Sequence, residues 1–229
     1  MRILGIDTSS RVLSIALTKG RELIAEETVA CDRKHAALLV PKIKDLLERS
    51  RLGIESVDGF VVGTGPGSFT GLRIGVSTVK GFGIATAKPC IGVPSIDAIA
   101  LNVKEDSKLI VPIIDAKRHQ VYSAIYRREK GRVIRKSRFL LLTIEEFIKK
   151  INSIRNRPPV FLLGDAITLY EEKMRHIGNG TVFLGEEYWY PKAANLIQLA
   201  LGKIDTLKET DLAKLKPIYL YPKDCQVKP

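Results

Sequence analysis

The same figure occurs twice in this chain, about a hundred residues apart. Ile3 to Ile6 reads as a buried strand ended by the polar turn Asp7-Thr8-Ser9-Ser10. A second strand follows at Val12 to Leu17 and, past Lys19-Gly20, a third at Leu23 to Val29. From Leu109 the figure returns: an apolar strand to Ile114, a polar turn from Asp115 to Gln120, an alternating strand from Val121 to Tyr126, and a third strand opening at Val133 after Gly131. Three strands joined by tight turns form an antiparallel meander. Two meanders with helices between them predict two α/β units, with the polar stretch Lys104-Glu105-Asp106-Ser107 as the boundary. The expected division is 1–102 and 103–229, and 229 residues suffice for two modest cores.

Helical periodicity fills the gaps. From His35 to Arg51, Leu38, Leu39, Ile43, Leu46 and Leu47 recur on one side and Lys42, Lys44, Asp45 and Glu48 on the other, with Pro41 marking a kink or an earlier end. Phe60 to Gly63 is a short strand. A helix from about Leu72 to Ala87 contains Gly75, Gly81 and Gly83, each costing ~1 kcal/mol relative to Ala, so close packing against another backbone must hold it. Cys90 to Val93 is a fifth strand, and Ser95 to about Asn102 a helix. Later helices are expected at Thr143–Ile151, with the capping box Thr143/Glu146, and at Ala166–Arg175, with a strand at Val160–Leu163. A last helix, 193–207, carries Ala194, Ile197, Leu201 and Ile204 on one face and is compatible with packing back on the first lobe or on the second.

Charge is uneven. Lys and Arg number 37 against 25 Asp and Glu, a net +12, of which +3 falls up to Ala98 and +9 beyond it. Two explanations stand side by side: a basic face for a polyanion such as RNA, or a solvated Lys-rich surface. The densest run is Arg127, Arg128, Lys130, Arg132, Arg135, Lys136 and Arg138, opposed by Glu129 alone, with Tyr122 and Tyr126 nearby. It fits RNA contact or a charged strand edge that prevents aggregation. Cys31, Cys90 and Cys225 have no paired spacing, so neither a disulfide framework nor a zinc knuckle is expected. No stretch reaches the ~20 apolar residues of a bilayer span, and a soluble, cytoplasmic protein is the expectation.

The most specific stretch is Gly63-Thr64-Gly65-Pro66-Gly67-Ser68-Phe69-Thr70-Gly71-Leu72-Arg73-Ile74-Gly75, set between a strand and a small-residue helix. Glycine there supplies positive φ, Pro66 presets a turn, and Ser68 or Thr70 can cap the helix, at whose N-terminus an anion could sit. A structural elbow that orients the helix is the simpler explanation, since no Lys follows as in a Walker loop. With Ile6-Asp7-Thr8-Ser9, the His35 to Pro41 segment, Gly92-Val93-Pro94-Ser95, Asp115-Ala116-Lys117 and Pro217-Ile218-Tyr219-Leu220, this block resembles the TsaB family, known also as YeaZ. The resemblance covers nearly the whole chain, strongly to about residue 100. One departure is Tyr221, where the family usually carries Arg.

The resemblance implies two actin-like (ASKHA, ribonuclease H-like) lobes with mixed β-sheets flanked by helices. It also implies a non-catalytic paralogue of TsaD, the enzyme that transfers a threonylcarbamoyl group to tRNA adenosine, with TsaD and the ATPase TsaE as partners and a homodimer when alone. TsaD holds its metal through His-x-x-x-His after the fifth strand. Ser95 and Ile99 stand at those positions, and His35, His119 and His176 form no such pair, so no metal site is expected. The partner interface is expected on the first two helices, at His35, Leu39, Ile43, Leu47, Gly75, Val79 and Phe82, partly exposed in the monomer. The possible nucleotide loop comprises Asp7, Thr8, Ser9, Gly65, Pro66, Gly67, Ser68, Phe69, Thr70, Gly71 and Arg73. No cofactor of its own is expected, with ATP or ADP conceivable at the interface with TsaD or TsaE, and Arg127, Arg128, Lys130 and Arg132 are candidates for RNA contact. The rival is an autonomous actin-like ATPase or small-molecule kinase. Asp7 and the Gly65 to Gly71 loop support it, and the glycine-free second turn opposes it.

Overall fold

The computed structural model describes residues 1–31, 34–106, 108–154, 158–178, 180–204 and 211–221. Cys225, the Lys228-Pro229 tail and the end of the last expected helix lie outside these residues. The chain forms two compact units. One is Met1–Asn102 with Tyr190–Ile218; the other is Val103–Trp189 with the described residues from Tyr219 on. The expected second lobe of 103–229 is therefore too long, because the chain returns to the first unit at Tyr190.

In the first unit, β1 (Arg2–Asp7), β2 (Val12–Lys19), β3 (Glu22–Ala30), β4 (Gly59–Gly63) and β5 (Cys90–Val93) make a sheet in the order β3-β2-β1-β4-β5. The β1–β2 and β2–β3 pairs are antiparallel, whereas β1–β4 and β4–β5 are parallel. Hairpins can be joined tightly, but parallel neighbours need crossovers. Here α1 (His35–Arg49) links β3 to β4 and α2 (Phe69–Thr86) links β4 to β5. Alternation divides the strands between two cores. Leu4, Ile6, Leu13, Ile15, Leu17, Phe60 and Val62 pack with Leu39, Ile43, Leu46, Leu47, Val76 and Val79 of α1 and α2. Ile3, Ala16, Val61, Ile91 and Val93 face the other way, onto the last helix.

That last helix, α6 (Ala193–Ile204), completes the first unit. Ala193, Leu196, Ile197 and Ala200 are its buried apolar positions, with Ala194 and Leu201 only partly covered, so the stripe is turned from the one the sequence suggested. The crossing is close at Gly5, where a Cβ would lie 2.7 Å from Ile197 Cγ1 and 2.9 Å from the Ala193 carbonyl. The buried Ser14 hydroxyl accepts the Ala193 N–H at 2.9 Å, which satisfies one of the orphan donors of the helix N-terminus. Asn195 Nδ2 donates to the Ala98 carbonyl on α3 (Ser95–Ala100) and to Asn102 Oδ1, at 3.0 and 2.8 Å.

The second unit repeats the plan. It has β6 (Leu109–Lys117), β7 (Gln120–Ser123), β8 (Tyr126–Glu129), β9 (Arg132–Arg135), β10 (Leu140–Thr143), β11 (Val160–Leu163) and β12 (Thr181–Phe183), with α4 (Ile144–Asn152) and α5 (Ile167–Met174). The order is β10-β7-β6-β11-β12, with β8 paired to β6 and β9 paired to β8. The strand expected from Val121 to Tyr126 is broken at Ala124-Ile125. Its first part pairs with Ile113–Lys117 and its second with Leu109 and Ile110. The capping box on α4 is present, with Thr143 Oγ1 accepting from Glu146 N and Glu146 accepting from Thr143 N.

Candidate functional site

The β1–β2 turn and the block after β4 meet in one closed polar joint. Asp7 is fully buried. Its Oδ1 accepts the Ser9 N–H at 2.8 Å and the Ser9 hydroxyl at 2.7 Å, and its Oδ2 accepts the Ser95 hydroxyl at 2.6 Å. Ser95 Oγ in turn accepts Gly65 N–H at 3.0 Å. The Ser9 carbonyl accepts from Ser68 N at 2.7 Å, and Thr8 Oγ1 donates to the Gly71 carbonyl at 2.7 Å. Burial pushes the Asp7 carboxyl above the usual range, and the hydrogen bonds from Ser9 and Ser95 hold it back.

Glycine is required where these backbones touch. A Cβ at Gly67 would overlap the Ser9 carbonyl oxygen, one at Gly71 the Thr8 carbonyl oxygen, and one at Gly75 the Thr8 hydroxyl. Gly65 has φ +95°, open to glycine and strained for other residues. Ser68 caps α2 through its hydroxyl, which accepts Gly71 N–H at 3.2 Å. The structure thus brings together Asp7, Thr8, Ser9, Gly65, Pro66, Gly67, Ser68 and Gly71 in a joint whose side chains bond to one another and to its backbone. Phe69, Thr70 and Arg73 point outward, with the Arg73 guanidinium 3.9 Å above the centre of the half-exposed Phe69 ring.

The expected interface residues lie elsewhere than on the surface. Leu39, Ile43, Leu47 and Val79 are at most 5% exposed, Gly75 is buried against Thr8, and Phe82 packs on Phe60 with ring centres 5.4 Å apart. They form this unit's own core because their helix faces are the ones that cover β1, β2 and β4. The close approach that Gly71 and Gly75 of α2 permit is to the β1–β2 turn, and Gly83 meets Cys90 and Leu212. His35 is also buried. Desolvation holds its imidazole below the ordinary value against backbone hydrogen bonds with Val12 and Ser10, and Nε2 has no partner among the described residues.

What α1 and α2 leave outside is a different set: Val40 (53% exposed), Ile84 (74%) and Phe69 (52%), with the α2 row Arg73, Ser77, Gly81 and Ala85 at four-residue spacing. Gly81 has no atom within 4 Å of where its Cβ would stand. Sequence reasoning missed this row because the apolar periodicity it follows marks the inward face.

In the second unit the turn after β6 holds Lys117, Arg118 and His119 in succession at φ +65°, +53° and +59°. Asp115 accepts Lys117 N–H at 2.8 Å and pairs with Lys117 Nζ, while its own N–H goes to Asp165 Oδ1 at 3.0 Å. Tyr221, at the departure from the family pattern, donates its hydroxyl to the Ala116 carbonyl at 2.6 Å and packs edge-on against Tyr122. The basic run lies on β8, the turn and β9, with Lys136 and Arg138 just beyond the end of β9. Arg128 is only 15% exposed and turned inward to the Val103 carbonyl and Asp106, whereas Lys130 and Arg132 are exposed. Tyr122 and Tyr126 are buried and offer no exposed ring to a base. Among the described residues no three His, Cys, Asp or Glu side chains are grouped so as to hold a metal ion, and no helix is long and apolar enough to cross a membrane.

Residues 26–158 match the model of a family described as TsaD: tRNA N6-adenosine threonylcarbamoyltransferase. Over its full length the chain is 30% identical to the tRNA threonylcarbamoyladenosine biosynthesis protein TsaB of Bacillus subtilis (strain 168), covering 97% of that protein. The chain belongs to the TsaB family. The YeaZ structure from Pseudomonas aeruginosa superposes with a TM-score of 0.79 at 24% identity, over 96% of this chain and 99% of that one. Beyond the TsaB family, the (R)-2-hydroxyglutaryl-CoA dehydratase component A of Acidaminococcus fermentans shares the fold, with a TM-score of 0.52 at 12% identity over 90% and 99% of the two chains. Both units therefore have the actin-like ATPase fold.

Proposed function

We propose that this chain takes part in forming N6-threonylcarbamoyladenosine in tRNA as a non-catalytic subunit, and that it pairs with the transferase TsaD through the outward faces of α1 and α2, with TsaE as the ATPase of the assembly. Membership of the TsaB family supports the pathway. The observation that carries the pairing is Gly81. Glycine in an exposed helix costs about 1 kcal/mol relative to Ala. The other glycines of α2 are explained inside the unit, by Thr8 at Gly71 and Gly75 and by Cys90 and Leu212 at Gly83. Gly81 opens to space, between Ser77 and Ala85 and beside the exposed Ile84. Such a row lets a second helix approach closely.

Two further observations support a supporting rather than a catalytic role. The carboxylate that an actin-like ATPase would turn toward a nucleotide, Asp7, is sealed into the joint with Ser9 and Ser95. At the positions of the metal pair of TsaD stand Ser95, bonded to Asp7, and Ile99, which is buried. In this reading the subunit carries no cofactor of its own, and any ATP or ADP belongs to an interface with TsaD or TsaE.

The test is size-exclusion chromatography with light scattering on the chain alone and mixed with TsaD and TsaE, followed by tRNA modification in the same fractions. Modification that depends on adding this chain, in a complex containing it, is the expected result. ATP hydrolysis or metabolite phosphorylation by the isolated chain, with no complex formed, would replace this reading with that of an autonomous kinase-like enzyme.

A further inference from the structure

The charge of the second unit is concentrated on one hairpin. Between Val103 and Trp189 there are 17 Lys and Arg and 11 Asp and Glu. The segment 127–138 holds seven of those cations and only Glu129, so outside it ten cations face ten carboxylates. The entire excess of Val103–Trp189 sits on twelve residues.

The register shows how this charge is displayed. Arg127 is opposite Ile134 and Glu129 is opposite Arg132, so these four side chains share one face of the β8–β9 ribbon, while Tyr126, Arg128, Val133 and Arg135 share the other. On that second face Tyr126 is 1% exposed, Arg128 is bound to the Val103 carbonyl at 3.0 Å, and the exposed Arg135 lies over the Phe139 ring, 4.0 Å from its centre. On the outward face Arg132 and Lys136 flank Ile134, which is 39% exposed. Glu129 already binds both Lys136, at 3.1 Å, and Arg127, at 3.6 Å, and so neutralises less than the cations around it supply. Lys130 at the turn, Arg132 and Arg138 are exposed and make no ion pair among the described residues. Alternate residues of a strand stand about 6.6 Å apart, a spacing suited to successive phosphates along a nucleic-acid strand. β9 pairs only with β8 among the described strands, which leaves its other edge uncovered.

We infer that the outward face of this hairpin binds the phosphate backbone of RNA, with Lys130, Arg132, Lys136 and Arg138 as the contacts. The proposed function enters only in the choice of RNA over another polyanion; the surface itself follows from charge and register. Both tyrosines are buried and the Phe139 ring already carries the Arg135 guanidinium, 4.0 Å from its centre, so recognition is of the backbone and independent of sequence.

The experiment is fluorescence anisotropy of a labelled tRNA-sized RNA with the full chain over a series of salt concentrations. Four phosphate contacts predict a slope of log affinity against log salt of about −3 to −3.5. Lys130→Ala with Arg132→Ala should make that slope shallower by about 1.5 and weaken binding at least several-fold. A control with the same charge change elsewhere, Lys149→Ala with Lys216→Ala, should leave the slope unchanged. Equal losses in the two pairs, an unaltered slope, or no binding by the unmodified chain would each overturn the inference. So would a hairpin variant that aggregates while binding RNA normally, since the cations would then only guard a strand edge. Pairing with TsaD is measured on the same samples. A chain that pairs without binding RNA removes this inference alone, and one that binds RNA without pairing removes the proposed function alone.

Discussion

Two glycines of one helix, six residues apart, should answer substitution in opposite ways. Gly75 is pressed against Thr8, and a Cβ there would overlap the Thr8 hydroxyl, which itself donates to Gly71. Gly75→Ala therefore gains helix propensity of about 1 kcal/mol but must displace a buried, hydrogen-bonded turn, at a cost of roughly 1–3 kcal/mol or more. The net effect is loss of stability. Gly81 has nothing within 4 Å, so Gly81→Arg meets no steric cost and gains roughly 0.7 kcal/mol of helix propensity. That corresponds to a melting temperature higher by roughly 2 °C. The same arginine fills the space through which a second helix would approach, and pairing with TsaD should weaken by roughly five- to 150-fold, the range that overpacking of 1–3 kcal/mol implies. Thermal unfolding followed by circular dichroism, together with light scattering of the mixed proteins, reads both effects. A Gly81→Arg chain that melts higher and still pairs with unchanged affinity would refute the assignment of this face; one that melts lower would refute the open-space argument beneath it.

Three other outcomes follow from the packing. Ile197→Ala should cost about 2–5 kcal/mol in denaturant unfolding, because Ile197 is 1% exposed and packs across β1 at Gly5; a cost below 1 kcal/mol would mean that α6 contributes little to the first unit. Asp7 has its folded pKa raised by burial, so the native state holds its proton more tightly than the unfolded chain. Its contribution is largest below the ordinary carboxylate range and falls as pH rises toward the raised value. Asp7→Asn should remove that fall, seen as a stability difference between the two chains that changes with pH from 3.5 upward, whereas a constant difference would contradict the assignment. The Cys90 thiol is buried and pushed up to about 11, so it should react with a thiol reagent at pH 8 only as fast as the protein opens; prompt labelling of Cys90 in the native state would contradict its burial.

Both meanders, the α4 capping box and the Gly65–Gly71 elbow were legible from the sequence because local rules determine them: a period of two, a Thr three residues before a Glu, glycine where backbones meet. Of the two candidate caps in that block Ser68 is the one that caps α2, and the structure adds what the block meets, the Asp7–Ser9 turn. Non-local geometry was not legible. β10 escaped notice because Leu140–Thr143 pairs with β7 rather than with its sequence neighbour. The interface residues were placed on the inward faces of α1 and α2 because apolar periodicity marks burial and does not say whether the covering surface is the chain itself or a partner. The outward row at Ser77, Gly81 and Ala85 had a signal in the sequence, small residues at four-residue spacing, but its meaning depended on knowing which glycines were already in contact.

The return of the chain at Tyr190 sets a timetable for synthesis. A ribosome that has delivered β5 and α3 must still translate about 90 residues before α6 begins, roughly 5–18 s at usual rates of synthesis. Throughout that interval Ile3, Ala16, Val61, Ile91 and Val93 have no α6 to cover them. The first unit to begin folding is thus completed only after the intervening segment has been made. The nascent protein carries an uncovered apolar sheet face for seconds, and a chain cut after Asn102 would keep that face uncovered permanently.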